Sequence, residues 1–360
     1  MKCLAPWKAL SIRFNGDVVP DCVYTGRHGN IHQQSLTEIL RHPGLIQLQD
    51  KISNEVLPKE CNQCSLKESA SGHSRRIFFD QILHHVPRNR DIDIRFLEFN
   101  ISNKCNLQCV MCSGVNSTAW VKLDQKLDSI DKSFQRPLSH PDFGYRNVGT
   151  DIVDKLFAEP VYFKNLEYVN IKGGEPYMEQ DNIKLLKKLL DLGLEKQVTL
   201  DISTNATVEN TEFEDLALRF KTKWHVSIEG TGRLYEYIRG GDKYTWEKFN
   251  DSVHRFSKFD SVIFAGTVMT YNVRHIKECF DWFETIKKPN YSMFFSNIVV
   301  TPPYLNPALL PNEILEGTDF CHNESLNDQL PIFVNYTRRL DELRGTDILS
   351  VCPELNAIFS

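Results

Sequence analysis

Short apolar runs alternate with amphipathic stretches through the middle of this 360-residue chain. The runs have the length of buried strands, and the stretches carry apolar residues at helical spacing. The predicted strands are residues 92–101, 166–171, 197–204, 223–228, 262–270 and 292–300. The predicted helices are residues 182–192, 211–220, 244–259 and 275–286.

This alternation predicts an α/β fold with a parallel sheet, because parallel strands need helical crossovers. Repeated strand–helix units curl into a full or partial barrel, and the six predicted strands fit a partial (β/α)6 TIM-like barrel. Working residues of such folds lie at the carboxyl ends of the strands. We therefore expect the chemistry there.

The first 88 residues have a different pattern. Alternating runs flank Asn15-Gly16, which predicts a hairpin, and Ser35 with Glu38 forms a capping box for a short helix ending near Pro43. We predict a small Cys-rich hairpin module at 1–88, the barrel at 89–300, and an irregular segment with a helix at 301–360. Residues 131–150 and 301–331 lack a clear period and are candidate lids or surface loops.

Composition narrows the class of protein. Hydrophobic residues make up 41% and charged residues 25%, as in ordinary globular proteins. The net charge of −5 argues against nucleic acid as the main partner. No apolar run is long enough for a membrane span and no signal-peptide core is present, so we expect no membrane partner and a cytoplasmic location.

Cysteine placement indicates metal binding. Seven of the ten cysteines fall within the first 112 residues, and in a reducing compartment such clustering favours ligands over disulfides. Cys105, Cys109 and Cys112 form a C-x3-C-x2-C triad directly after the first predicted strand of the barrel. Three thiolates can hold three corners of a [4Fe-4S] cluster and leave one iron open. The alternative is a zinc site, which normally takes four protein ligands.

The triad and the elements that follow it resemble the radical S-adenosylmethionine (AdoMet) enzymes. The sequence Gly173-Gly174-Glu175-Pro176 after the second strand is similar to the family's GGEP element, which binds the methionine amino group of AdoMet. Two glycines let a backbone approach a ligand, and a carboxylate accepts from an ammonium.

Later strand ends continue the resemblance. Ser203 and Asn205, and then Ser227, match positions that contact the AdoMet ribose, and Arg239 matches one that binds its carboxylate. Met111 stands where the family commonly has an aromatic residue, and it can cover the adenine. The alternative is that these residues have only structural roles, in turns, in helix caps or as a solvated cation at the end of a helix.

The N-terminal module resembles the auxiliary-cluster module called SPASM or twitch. Its cysteines Cys3, Cys22, Cys61 and Cys64 would be the four ligands of a second [4Fe-4S] cluster. This module usually follows the barrel, but here it precedes it. An all-thiolate zinc site is the alternative.

The resemblance implies a radical AdoMet oxidoreductase. Reductive cleavage of AdoMet would give a 5′-deoxyadenosyl radical that abstracts hydrogen from a substrate C–H bond, with oxidation or cross-linking to follow. The expected partners are an electron donor such as flavodoxin or ferredoxin and a substrate, with a ribosomally made peptide favoured over a small molecule such as a sugar or aminocyclitol. A dehydrogenase or epimerase of such a small molecule, an RNA-modifying enzyme and a non-catalytic iron-sulfur electron carrier are the alternatives.

Catalytic groups are less defined by sequence. Cys321 lies in the irregular segment after the sixth strand and could return a hydrogen atom in an epimerisation. Glu98 and Glu229 are candidate bases, although solvated carboxylates are the simpler interpretation. Cys279 and Cys352 fit buried small hydrophobes.

Overall fold

A computed structural model describes residues 3–140, 143–240 and 244–360. Its strands are β1 Ala9–Ile12, β2 Asp17–Val19, β3 Gly29–Asn30, β4 Phe96–Asn100, β5 Tyr168–Lys172, β6 Thr199–Thr204, β7 Lys221–Ser227, β8 Ser261–Val268 and β9 Tyr291–Ile298. Its helices are α1 Ala5–Lys8, α2 Leu36–Leu40, α3 Pro43–Ser53, α4 Asn62–Ser71, α5 Arg75–Ile82, α6 Val121–Ile130, α7 Ile152–Leu156, α8 Gln180–Asp191, α9 Thr211–Ala217, α10 Gly232–Arg239, α11 Trp246–Ser252, α12 Ile276–Ile286, α13 Asn312–Leu315, α14 Leu330–Arg344 and α15 Asn356–Phe359.

The chain divides into two compact units. The first contains Met1–Ser102, Arg146–Ile202 and Asn210–Thr222, and the second contains Asn103–Tyr145, Ser203–Glu209 and Lys223–Ser360. The division into 1–88, 89–300 and 301–360 stays a prediction. Among the described residues, no helix combines the length and apolarity needed to cross a bilayer.

The hairpin of the first unit leads directly into its parallel strands. β1 pairs antiparallel with β2, and Gly16 in the turn has a φ of +84°, which favours glycine. β1 then pairs parallel with β4, β4 with β5, and β5 with β6. The capping box of Ser35 and Glu38 is present, and α2 ends at Leu40 before Pro43 starts α3.

A polar row crosses these four strands. The register places Ser11 beside Glu98, Glu98 beside Asn170, and Asn170 beside Asp201. Ser11 donates a hydrogen bond to Glu98 at 2.7 Å, and Asn170 donates one to Asp201 at 3.1 Å. One face of these strands therefore carries polar side chains. Alternate residues such as Leu97 belong to the opposite face, which is apolar and fully buried.

The second unit continues the strand–helix alternation. β7 pairs parallel with β8, and β8 with β9. Its core includes Leu234 of α10, Met269 after β8 and Phe333 of α14. Among the described residues, the parallel strands of neither unit close on themselves, so the prediction of an α/β fold with a partial, unclosed TIM-like barrel is confirmed.

The segments without sequence period are short turns and loops for the most part. A 3-10 turn at Lys132–Phe134 lies in the first, whose residues 141–142 fall outside the described part of the chain. Further 3-10 turns and α13 occupy the second. Their role as lids stays a prediction.

Candidate active site

The cysteine triad lies in a loop of the second unit, whose first segment begins at Asn103. The loop is fixed through its backbone: Val110 N–H donates to Ile238 O at 2.8 Å, and Cys112 N–H donates to Cys109 O at 2.8 Å. Cys109 is buried, whereas Cys105 and Cys112 are half-buried. Backbone anchors of this kind hold the side chains in place while leaving the sulfur atoms available to a metal.

Two thiols of the triad, those of Cys109 and Cys112, have pKa values that shift in opposite directions. A hydrogen bond from Cys112 and the nearby charge of Arg239 lower the pKa of Cys109 to about 6, against the effect of burial. Donating that hydrogen bond, together with burial, raises the pKa of Cys112. A thiolate at Cys109 is the form that binds iron.

Arg239, the predicted carboxylate ligand, lies beside the triad. Its Nη1 donates to Cys109 Sγ at 3.4 Å, and its Nη2 pairs with the Glu229 carboxylate at 2.5 Å. The residue is only 6% exposed, and its Nε has no hydrogen-bond partner within the described ranges. A buried N–H without an acceptor leaves one edge of the guanidinium available to an anion.

Glu229, a candidate base, serves this arginine. Its side chain is buried, and burial raises its pKa to about 7 against the opposing charge of Arg239. A carboxyl group with a pKa near 7 could exchange a proton, but the ion pair with Arg239 favours a role in orienting that guanidinium group.

Asn205 also contacts the triad loop. Its amide nitrogen donates to Asn106 Oδ1 at 3.1 Å and approaches Cys105 Sγ at 3.8 Å. Its oxygen accepts from the backbone N–H of Thr207 at 2.9 Å. These contacts indicate that Asn205 orients the cysteine loop, and its predicted ribose contact stays a prediction.

The other predicted AdoMet contacts of this unit occupy strand ends and the loop. Ser203 is the second-to-last residue of β6, and Ser227 is the last residue of β7, each half-buried. Met111 is partly buried and packs against the core of the second unit. Their contacts to AdoMet stay a prediction.

Three side chains that the sequence analysis did not identify bind the backbone of the triad loop. The indole N–H of Trp120 donates to Cys109 O at 2.8 Å, and its ring lies under two guanidinium groups, Arg136 at 4.9 Å and Arg344 at 5.0 Å. Arg136 donates to Cys112 O, and Arg344 donates to Gln108 O. No local pattern marks these partners, because Arg344 lies 236 residues after Gln108.

The Gly173-Gly174-Glu175-Pro176 element lies at the end of β5 in the first unit. Gly173 has a φ of +148°, and a Cβ there would lie 2.5 Å from Ser102 O. Gly174 N–H donates to Ser102 O at 2.9 Å. Glycine is therefore required at 173 by geometry, and the buried Glu175 accepts from the backbone N–H of Tyr177.

Three of the four predicted auxiliary ligands line one cavity in the first unit. Cys3, Cys61 and Cys64 surround it together with apolar residues such as Leu48 and Phe79. Burial raises the pKa of Cys3 to about 12 and that of Cys61 to about 11. Convergent thiols in an apolar pocket fit a thiolate-bound cluster, because a bound metal replaces the protons.

Cys22 has different neighbours from the other three. Its sulfur lies within 4.8 Å of carboxylate oxygens of Asp21 and Glu98. Glu98 accepts from Ser11, from Arg75 at 3.2 Å and from Lys172 at 2.7 Å. Asp21 also lines the cavity, and the assignment of Cys22 as the fourth ligand of a cluster there stays a prediction.

These contacts bear on the remaining catalytic candidates. Glu98 is fully buried, and Lys172 and Arg75 lower its pKa against the effect of burial, which favours a structural carboxylate over a base. Cys321 is exposed. Cys279 and Cys352 are fully buried, as small apolar residues would be.

Residues 3–65 match the SPASM iron-sulfur cluster-binding domain. This confirms the prediction of a SPASM-like iron-sulfur module at the N-terminus. The match covers a minor part of the chain and does not reach the triad. No curated protein sequence matches this chain.

Several solved structures are similar over most of the chain. Native anSMEcpe with bound AdoMet and Kp18Cys peptide is 14% identical with a TM-score of 0.40, over 69% of this chain and 61% of that one. Streptococcus suis SuiB bound to precursor peptide SuiA is 17% identical with a TM-score of 0.38, over 72% and 51%. TYW1 with a lysine-pyruvate adduct is 15% identical with a TM-score of 0.31, over 69% and 71%. This chain spans about three fifths of the anSMEcpe length, and similarity at this level does not establish activity.

Proposed function

We propose that this chain is a radical AdoMet enzyme with an auxiliary iron-sulfur cluster. The observation that carries the proposal is the pairing of the Cys105–Cys109–Cys112 loop with Arg239, whose buried Nε has no partner among the described residues. Three thiols suit a cluster with one open iron, and an unused guanidinium edge beside them suits a carboxylate ligand.

The cofactors fit the donor groups of this chain. When reduced and bound, the cluster and AdoMet supply a 5′-deoxyadenosyl radical that abstracts hydrogen from a substrate C–H bond. Arg239 would hold the AdoMet carboxylate while Glu229 fixes the guanidinium, and Asn205 would keep the Cys105 loop in place. Glu175 would accept from the AdoMet ammonium, and Ser203 and Ser227 would bind ribose hydroxyls.

The N-terminal thiols would hold the auxiliary [4Fe-4S] cluster, with Cys3, Cys61 and Cys64 as ligands and Cys22 as the fourth. The family match over residues 3–65 supports iron rather than zinc. A cluster held by these four thiolates would have no open iron and would supply electron transfer instead of AdoMet binding. This favours net oxidation or cross-linking of the substrate over a redox-neutral reaction.

A second cavity suggests where an electron donor approaches. A cavity of about 890 Å³ in the second unit is lined by Gln108 of the triad loop and by the cationic residues Lys122, Lys126 and Arg233. Glu236 and Asp347 also line it, so its charge is mixed. We propose that an acidic electron donor of the flavodoxin or ferredoxin type binds here, close to the backbone of the loop that carries the cysteine triad.

The proposed substrate is a peptide. Support comes from the resemblance of the N-terminal module to modules of peptide-modifying enzymes, and the matched anSMEcpe and SuiB structures contain peptides. Anaerobic reaction of the reconstituted protein with deuterated candidate peptides tests this directly. Transfer of deuterium into 5′-deoxyadenosine from a peptide supports the proposal, while transfer only from a sugar or aminocyclitol favours the small-molecule alternative.

A further inference from the structure

A compact group of ligand atoms lies in the second unit, outside the proposed catalytic machinery. His275, Cys352 and Glu354 each offer one atom, and these atoms lie within 4.8 Å of one another. His275 directly precedes α12, whereas Cys352 and Glu354 follow α14 near the end of the chain. The group therefore joins two segments that are distant in sequence.

The histidine is oriented as in metal sites. Its Nδ1 lies 3.0 Å from Glu278 Oε1, and its Nε2 lies 2.8 Å from Glu354 Oε1. A metal-binding histidine usually donates its second ring N–H to a carboxylate, which fixes the ring and its tautomer. Glu278 is placed for that role, which leaves Nε2 directed toward Glu354.

Cys352 adds a thiol to this group of a histidine and carboxylates. Two carboxylates lie at the two ring nitrogens of His275, and Cys352, which is 0% exposed, lies in the same group of ligand atoms. Its Sγ lies 3.4 Å from Tyr271 O, a weak hydrogen bond that metal binding would release. Sulfur, imidazole and carboxylate together form the donor set that zinc takes in proteins.

We propose that His275, Cys352 and Glu354 bind one Zn²⁺ ion as three protein ligands, with water as the fourth ligand of an open site. Tetrahedral zinc bonds of about 2.0–2.3 Å separate ligand atoms by about 3.3–3.8 Å, so the His275–Glu354 contact opens by about 0.5 Å on binding. The His275 and Glu354 side chains are 16% and 23% exposed, so water reaches the fourth position.

The test uses the full chain with both clusters reconstituted, equilibrated with Zn²⁺ and then desalted. Iron and zinc per chain are measured together by plasma mass spectrometry, because zinc could otherwise enter unfilled cluster sites. We expect about one zinc in the wild-type protein and in Cys321→Ala, and about none in Cys352→Ala or His275→Gln, at unchanged iron. Equal zinc in all four proteins, or none in the wild type, overturns the proposal.

Two further variants keep the test decisive if Cys352→Ala fails to fold. Glu354→Gln changes a partly exposed ligand, and it is expected to lower zinc affinity while leaving the fold intact. Glu278→Gln keeps the three ligands and is expected to weaken zinc binding about 10- to 100-fold by loosening His275. Unchanged affinity in both variants, measured by competition with a chelator, contradicts the site.

Discussion

The two groups of cysteines differ chiefly in what surrounds the sulfur atoms. In the second unit, Arg239 contacts Cys109 and helps lower its pKa to about 6, while Arg136 and Arg344 bind the loop backbone. In the first unit, Cys3 and Cys61 line an apolar cavity, and burial raises their pKa values. The surroundings of the triad stabilise negative charge on sulfur and leave the Nε–H of Arg239 without a partner among the described residues, as a binding site for an anionic ligand requires. The surroundings of Cys3 and Cys61 are apolar and enclose the sulfur atoms, as an electron-transfer cluster requires.

The largest expected effect comes from removing a triad ligand. Cys109→Ala should lower iron from about eight to about four per chain and reduce 5′-deoxyadenosine formation at least about 100-fold, because no open iron remains. Cys321→Ala, which changes an exposed cysteine, should retain both values. Iron assay and chromatography of the nucleoside measure them, and full nucleoside formation by Cys109→Ala would refute the assignment.

Removal of an auxiliary ligand should separate the two clusters. Cys61→Ala should also lose about four irons, yet it should still cleave AdoMet, because that step belongs to the triad. Substrate oxidation should fall with the lost electron acceptor. If Cys22→Ala retains eight irons while Cys61→Ala does not, Cys22 is not a ligand, in agreement with its present contact to Glu98.

Arg239 contributes most to the difference in charge between the surroundings of the two groups of cysteines. Arg239→Lys keeps one positive charge but removes the planar fork, so we expect AdoMet to bind about 10- to 100-fold more weakly at unchanged iron content. Equilibrium binding to the reconstituted protein measures the loss. Affinity equal to the wild type would mean that the unpartnered Nε does not face the AdoMet carboxylate.

The donor surface should respond to charge reversal. The double variant Lys122→Glu and Lys126→Glu should slow AdoMet cleavage about tenfold with an acidic flavodoxin and leave the dithionite-driven rate unchanged. Lys277→Glu, far along the chain and strongly exposed, is the matched control. A loss with both reductants would indicate damage to the cluster instead of lost docking.

Acid is expected to destabilise the N-terminal region through His28. Burial lowers the pKa of His28 from 6.5 to about 4, so the folded state binds fewer protons than the unfolded state between these values. Its stabilising contribution is present above pH 6.5 and is lost as pH falls toward 4, by about 3 kcal/mol at most. His28→Phe should flatten this part of the stability curve in denaturant titrations, and the exposed His73→Gln should not.

Local pattern predicted the elements because burial on a strand or helix leaves a period in the sequence. The run at 262–270 became β8 Ser261–Val268, and the capping box at Ser35 formed as expected. Gly173 was also predictable, since a GGEP turn needs positive φ. The support of Cys109 by Trp120 and Arg344 was not, because such contacts depend on the packed fold and have no fixed spacing.

The same limit applies to the auxiliary site. The spacing of Cys61 and Cys64 indicated a ligand pair, and both line the cavity with Cys3. Nothing in the spacing of Cys22 revealed that Glu98, Lys172 and Arg75 would form an ion cluster next to it. Such a cluster is assembled from three separate parts of the chain, so only the folded structure displays it.

The central claim is that the triad seats AdoMet on an open iron. Its most direct test is anaerobic incubation of the doubly reconstituted protein with AdoMet and a strong reductant, followed by quantification of 5′-deoxyadenosine. The account predicts that nucleoside forms and that its formation is lost in Cys109→Ala and weakened in Arg239→Lys. A protein with about eight irons that yields no 5′-deoxyadenosine under these conditions would contradict it and favour an iron-sulfur electron carrier.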